Sequence, residues 1–483
     1  MELHSISNGL KRKKKVIKNT IIIVFLLIWM VQKQQVNPIP CPIGVTEFQI
    51  NTFTTGEQNT PRVTSSKNQL LLVTWQSEYQ NEPGYGIYAQ FLNRTGKVGN
   101  EIRVNNETAD SQMLPDAVVL ENGDYVVVWQ SLGQDGAGNG VYSQRFNSLG
   151  EKIGYEYRVN NYTVGSQYLP TITALKPNGY VIIWQSSGQD ESDNGIFGQI
   201  FNNEAEKIGQ EFAVNNYTLN SQHAPAVTAL SNGGFVVVWA SFEQDESNDG
   251  VVAQWFNSAG VKEGREFIVN NHTINSQTHP AITTLTNDHV VIVWQSEGQD
   301  GFTFGIFGQQ FDEEGQKVHD EFQVNHVVEG EQTDASIATL SDSHFVVTWR
   351  SGSGQDGSND GVFGQIFKST TNERVGLEFQ VNNETDGDQA APSVSSLDNN
   401  EFIVTWNSFD GSTKGIFGRY FSLDCIKGKQ VAIFPKALQV YATNTMEQVS
   451  TIPSINFTIP NHEDTPITIQ YTLDEVVGQA ELF

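Results

Sequence analysis

A tryptophan returns at a nearly constant interval through most of this chain, and that interval limits what the chain can become. It stands at Trp75, Trp129, Trp184, Trp239, Trp294, Trp349 and Trp406, spaced 54, 55, 55, 55, 55 and 57 residues apart. The unit around Trp239 has four short apolar runs: Pro225–Leu230, Phe235–Ser241, Gly250–Phe256 and Glu266–Asn270. Segments rich in Asn, Gly, Ser and Asp separate them, so the runs read as strands joined by hairpins. Along Phe235–Trp239 one face carries Phe235, Val237 and Trp239, and the other carries Val236 and Val238. A strand apolar on both faces has to be covered on both sides. A single four-stranded sheet of this kind cannot stand alone.

Neighbouring copies provide the cover. The third strand recurs from Gly86, Gly140, Gly195, Gly250, Gly305, Gly361 and Gly415. Seven such units predict an all-β, closed seven-bladed β-propeller of four-stranded antiparallel blades, because a ring buries both faces of every sheet. The fourth strand also occurs seven times, but out of phase. Its first copy, Glu47–Asn51, precedes the first tryptophan, and none follows the last third strand. The first strand of the chain is therefore predicted to complete the last blade, leaving no free edge.

The chain has 483 residues and a formal charge of −27. Residues 1–32 hold six Lys/Arg and one acid, so the remainder carries 22 basic against 54 acidic side chains. That surface repels nucleic acid, and no nucleic-acid partner is expected. Residues 1–32 themselves read as a signal peptide or a signal-anchor helix. Lys11–Lys15 is a basic cluster, and the apolar run Thr20–Val31 follows it. The expected order is then a stalk over 33–46, the propeller over 47–425 and a C-terminal tail over 426–483. The propeller is placed outside the cell, membrane-tethered through the N-terminal segment or secreted.

Two features agree with export. Sequons stand at Asn93, Asn106, Asn161, Asn216, Asn271, Asn383 and Asn456, five of them (Asn106, Asn161, Asn216, Asn271, Asn383) at one place in the repeat. They are read as glycosylation sites, although the same Asn-rich segment is also good turn chemistry. The two cysteines, Cys41 and Cys425, flank the two strands that closure brings together. A Cys41–Cys425 disulfide is predicted in place of the loop that joins those strands in other blades.

Antiparallel strands put the second-to-third hairpins and the blade-to-blade crossovers on one face. Those hairpins are acidic. Asp190 with Asp193, Asp245 with Asp249, and Asp356 with Asp360 have the residue types that hold calcium. They lack the alternating spacing of a strong calcium loop, and a solvated hairpin is the competing reading. On the crossovers Gln58, Gln112, Gln167, Gln222, Gln277, Gln332 and Gln389 recur three residues before the first strand's proline or, in one unit, Ala335. They are read as fastening each crossover rather than as a ring that grips a ligand. A catalytic cluster should break such a repeat. His223, His272, His279, His326 and His344 differ between units, yet no Ser-His-Asp, zinc or phosphate-loop pattern appears. The chain is accordingly expected not to be an enzyme.

Over roughly residues 47–421 the units resemble tandem repeats of bacterial RTX-type and other surface adhesins, and of ciliate surface proteins with cadherin-like domains. The resemblance implies a surface setting, sometimes with calcium, and no particular chemistry. The RTX nonapeptide itself is absent. After Asp424 the repeat stops, and strand-like runs between Val440 and Phe483 resemble the opening of a cadherin-like β-sandwich too short to be whole. Either this tail packs on the propeller or the chain is truncated. The expected function is an extracellular binding or adhesion module for a protein or glycan partner. The alternatives are a carbohydrate-active propeller enzyme, glycosidase or lyase, and a structural ectodomain scaffold.

Overall fold

The computed structural model describes residues 41–42, 47–80, 84–341, 343–352, 354–397, 400–423, 454–459 and 467–472. Contacts divide the chain into two units, residues 1–429 and 430–483. Within the second, Ser454–Ile459 pairs antiparallel with Ile467–Thr472. The N-terminal helix, most of the stalk, Cys425 and most of the tail lie outside the described residues. Among the described residues no helix is long and apolar enough to cross a membrane.

The first unit is a seven-bladed propeller of four-stranded antiparallel sheets. The fourth blade shows the pattern, with strands Gln222–Ala229, Phe235–Phe242, Asp249–Phe256 and Lys262–Ile268. Its second and third strands pair without a break from Phe235↔Phe256 to Phe242↔Asp249. The two-sided apolar pattern does what the repeat requires. Phe235, Val237 and Trp239 pack with Val181, Ile183 and Ile196 of the third blade. Val236 and Val238 pack with Val290, Ile292 and Trp294 of the fifth. Seven such clusters, one per junction, make up the core, and the seven repeat tryptophans are fully buried.

The last blade is Ala390–Ser396, Glu401–Phe409 and Lys414–Ser422, and the start of the chain adds its outer strand. Phe48 pairs with Gly418 and Gln49 with Phe417. The closing strand begins well before Glu47, because Pro42 pairs with Phe421 and Cys41 with Ser422. Ile50 is buried in the junction between the last blade and the first, beside Trp75.

A polar clasp repeats with the apolar core. Each fourth strand carries a glutamate that accepts a backbone N–H from the crossover leaving the preceding blade. Glu101 accepts from Thr52 at 2.7 Å, Glu211 from Asn161 at 2.6 Å, Glu321 from Asn271 at 2.7 Å and Glu378 from His326 at 2.7 Å. Glu47 makes the same bond to Asn383, so the closing strand supplies its member of the series.

Candidate functional site

The recurrent glutamines are structural. All seven are fully buried. In the fourth blade Gln222 Oε1 accepts from Asn215 Nδ2 at 3.1 Å, and its Nε2 donates to the Leu219 carbonyl at 2.9 Å. Asn215 Oδ1 in turn accepts the Ile196 N–H at 2.8 Å. Each amide therefore finds partners within the crossover, which buried amides require. None is left over for a ligand.

The first aspartate of each hairpin proposed for calcium is tied into this network. Asp190 Oδ1 accepts the Ser192 N–H at 3.3 Å and its Oδ2 accepts from Asn215 Nδ2 at 3.3 Å. Asp245 holds Ser247 and Asn270, both at 3.2 Å; Asp356 holds Ser358 at 3.1 Å and Asn382 at 2.9 Å. The carboxylate also explains the glycine that opens the third strand. A Cβ on Gly195 would lie 2.4 Å from Asp190 Oδ2, and one on Gly250 2.6 Å from Asp245 Oδ2. Among the described residues no three His, Cys, Asp or Glu side chains come together as a metal site, Asp193, Asp249 and Asp360 included.

The sequon side chains Asn106, Asn161, Asn216, Asn271 and Asn383 are exposed on the crossovers. The next blade's lysine donates to four of their amide oxygens, as Lys152 does to Asn106 at 2.8 Å and Lys262 to Asn216 at 2.7 Å. Asn93 instead caps its own turn, accepting the Thr95 N–H at 2.8 Å. Asn456 lies in the hairpin of the second unit.

The site itself lies where the first strands meet around the axis. Each first strand is kinked at the residue before its proline or Ala335, where φ turns positive: Thr60, Leu114, Leu169, Ala224, His279, Asp334 and Ala391, all between 50° and 56°. The pairing register shifts there in every blade, as between His223 and Ala226. In four blades a Gln Oε1 of the preceding blade, one residue past its tryptophan, accepts the N–H at the kink. Gln76 takes that of Leu114 at 3.0 Å, Gln130 that of Leu169 at 3.1 Å, Gln185 that of Ala224 at 3.3 Å and Gln295 that of Asp334 at 3.4 Å. The kinked segments enclose an axial cavity of about 520 Å³.

At this mouth the sevenfold pattern breaks. The kink residue is ionisable in the fifth and sixth blades only, as His279 and Asp334. Two residues on, Arg62 and Asp116 of the first two blades are the ionisable members. The capping position changes alongside them: Ala240 precedes His279, and Arg350 stands in the sixth blade.

Around His279, blades four and five form a small polar cluster. His223 Nε2 lies 3.6 Å from Asp249 Oδ1. Thr278 Oγ1 is 3.5 Å from His223 Nε2 and 3.3 Å from His279 Nδ1. Asp249 and Thr278 face the same nitrogen of His223, so this is not a relay of the Ser-His-Asp type, which uses both nitrogens. Burial pushes the His223 imidazole below its usual range against the pull of Asp249, and pushes the Asp249 carboxyl up. Both shifts favour the neutral forms.

Around Asp334, Arg350 Nε lies 3.1 Å from Asp360 Oδ2, with Glu331 at 4.0 Å from its Nη2. Burial pushes the Asp360 carboxyl up; Arg350 opposes, while Asp388, Glu331 and Asp334 add to the rise. Deeper in the cavity Asp116 accepts from Ala117 N–H at 2.9 Å, Thr171 Oγ1 at 3.0 Å and Ile172 N–H at 3.1 Å. Burial still raises its carboxyl. Sequence reasoning noted the unrepeated histidines but missed Asp334, Arg350, Arg62 and Asp116. A comparison of the residues flanking the six prolines and Ala335, and of the residue after each repeat tryptophan, would have found them.

No family model matches this chain, and no curated protein matches it. Solved structures do. A protein of unknown function from Dyadobacter fermentans is 12% identical, with a TM-score of 0.49, covering 80% of this chain and 100% of its own. An α-L-arabinanase from Penicillium chrysogenum, solved with arabinobiose, is 14% identical with a TM-score of 0.47, covering 80% and 99%. A GH93 α-L-arabinofuranosidase from Fusarium graminearum is 11% identical with a TM-score of 0.47, covering 79% and 98%. At such identities the likeness concerns the fold alone. Several of the solved propellers are named as arabinanases or arabinofuranosidases, so the expectation that this chain is not an enzyme finds no support among them. The reason given for setting catalysis aside, the lack of an asymmetric cluster, also fails at the mouth just described.

Proposed function

We propose that the protein is a carbohydrate-active propeller that binds a glycan over the mouth of its axial cavity and cleaves a glycosidic bond there. The supporting observation is the break in the repeat. At one place in the blade, where five units carry Thr, Leu or Ala, two adjacent units carry His279 and Asp334, with Arg350 and Asp360 beside them. Glycoside cleavage uses two carboxyl groups in opposite protonation states. Asp334, lining the cavity, is assigned as the second carboxyl group of the pair. Asp360, whose carboxyl is raised by burial and by its acidic neighbours, is assigned as the proton donor. Arg350 holds Asp360 in place, and His279 orients the sugar. The chain is taken to be exported and displayed outside the cell, on the strength of the basic and apolar N-terminal segment and the exposed sequons.

The test is incubation with arabinan and other plant and microbial polysaccharides, with reducing ends measured over time. Turnover that falls by about 10²–10⁴-fold in Asp334→Asn, with binding kept, supports the assignment. Equal turnover in the variant overturns it. Binding without turnover restores the reading of a glycan-binding surface module.

A further inference from the structure

Resting on the carbohydrate reading above, we propose that the ligand is an uncharged polysaccharide chain, stacked on exposed aromatic rings of the hairpin face, and that acidic glycans are refused. Two independent features support this. The first is where the exposed aromatics lie. Phe302, Phe409 and Tyr79 are 50%, 42% and 60% exposed. They sit on the second-to-third hairpins, or at their edges, in the fifth, seventh and first blades, on the face that carries the cavity mouth. The sixth blade between them carries Asp334, Arg350 and Asp360. A chain passing over the sixth blade thus has a ring available on either side. Sugar rings present flat C–H faces that pack on such side chains.

The second feature is charge. Six of the seven hairpins around the mouth contribute an aspartate, as at Asp190, Asp245 and Asp356, and outside residues 1–32 the chain carries 54 acidic against 22 basic side chains. Arg62, the cavity's arginine, lies beside the Asp116 carboxylate and is offset by it. A polyanion approaching this face meets like charge, whereas a neutral chain meets none.

The experiment measures binding of the full chain by affinity electrophoresis in gels containing neutral arabinan, anionic polygalacturonan or polylysine. The expected result is retardation by arabinan that salt leaves unchanged, and no retardation by polygalacturonan at low salt. Phe302→Ala and Phe409→Ala should each weaken arabinan binding by about two- to tenfold. Both residues are exposed, so unchanged thermal midpoints establish that the variants are folded. Tighter binding to polygalacturonan than to arabinan at low salt overturns the proposal, as does arabinan binding that neither substitution affects. Retardation by polylysine alone overturns it too and marks the face as a docking surface for a basic protein. Loss of Asp334→Asn turnover with full aromatic-independent binding would leave the catalytic reading standing and remove only this one.

Discussion

Asn51 tests whether the first strand of the chain is a working member of the last blade. Its Oδ1 accepts the Ile416 N–H at 2.8 Å, and its Nδ2 donates to Gln58 Oε1 at 3.1 Å and to the Phe53 carbonyl at 2.7 Å. Asn51 is 3% exposed, and Ile416 and Gln58 are fully buried. In Asn51→Ala the Ile416 donor and the Gln58 acceptor lose their partner inside the protein. Each such orphan costs about 1–3 kcal/mol, so the loss is about 2–6 kcal/mol. For a propeller of roughly 380 residues the unfolding entropy is about 0.8 kcal/mol per kelvin, which lowers the thermal midpoint by about 3–8 °C. Asn215 occupies the same place at the end of the third blade, with the same three bonds and a fourth to Asp190. Asn215→Ala should therefore shift the midpoint by at least as much. The assay is thermal unfolding followed by tryptophan fluorescence, which reports on the buried repeat indoles. An Asn51→Ala protein that melts with the wild type, while Asn215→Ala melts early, would refute closure by this strand.

Three further outcomes are expected. Burial holds the Asp116 carboxyl above its ordinary 3.8 in the folded state, so the group favours folding below that value and loses this favour as pH rises through its folded pKa. Midpoints measured from about pH 4 upward should accordingly decline more steeply for wild type than for Asp116→Asn, and parallel profiles would contradict this. Trp239→Ala empties a space between the third and fourth blades and should cost about 3–5 kcal/mol in denaturant unfolding. Produced in a glycosylating secretory host, the chain should lose mass on enzymatic removal of N-glycans from Asn106, Asn161, Asn216, Asn271 and Asn383, and peptide mapping without reductant should link Cys41 to Cys425; free thiols at both positions would argue against export.

The blade count and the place of the closing strand were legible because both are written in local, periodic signals. Strand pairing within a blade involves near neighbours in the chain, and a strand apolar on both faces can be satisfied only by copies of itself. The phase of the fourth strand pointed to Glu47–Asn51 as the seventh copy, which Phe48 and Gln49 occupy in the structure. The glutamate clasps were written there too, as Glu47, Glu101, Glu156, Glu211, Glu266, Glu321 and Glu378. Their partners lie about 50 residues earlier, or for Glu47 at the far end of the ring on Asn383, so only blade-to-blade packing shows what they hold.

The mouth was not legible for the same reason. His223, Asp249, Thr278 and His279 come from two blades, and Thr278 of the fifth blade meets His223 of the fourth only once those blades are stacked. Asp360 looked like one more hairpin acid until Arg350 was seen beside it. Periodicity determined the ring, because every blade obeys it. Which side chains break the ring's symmetry together at the axis was decided by the tertiary structure, because only closure brings seven distant first strands around one cavity.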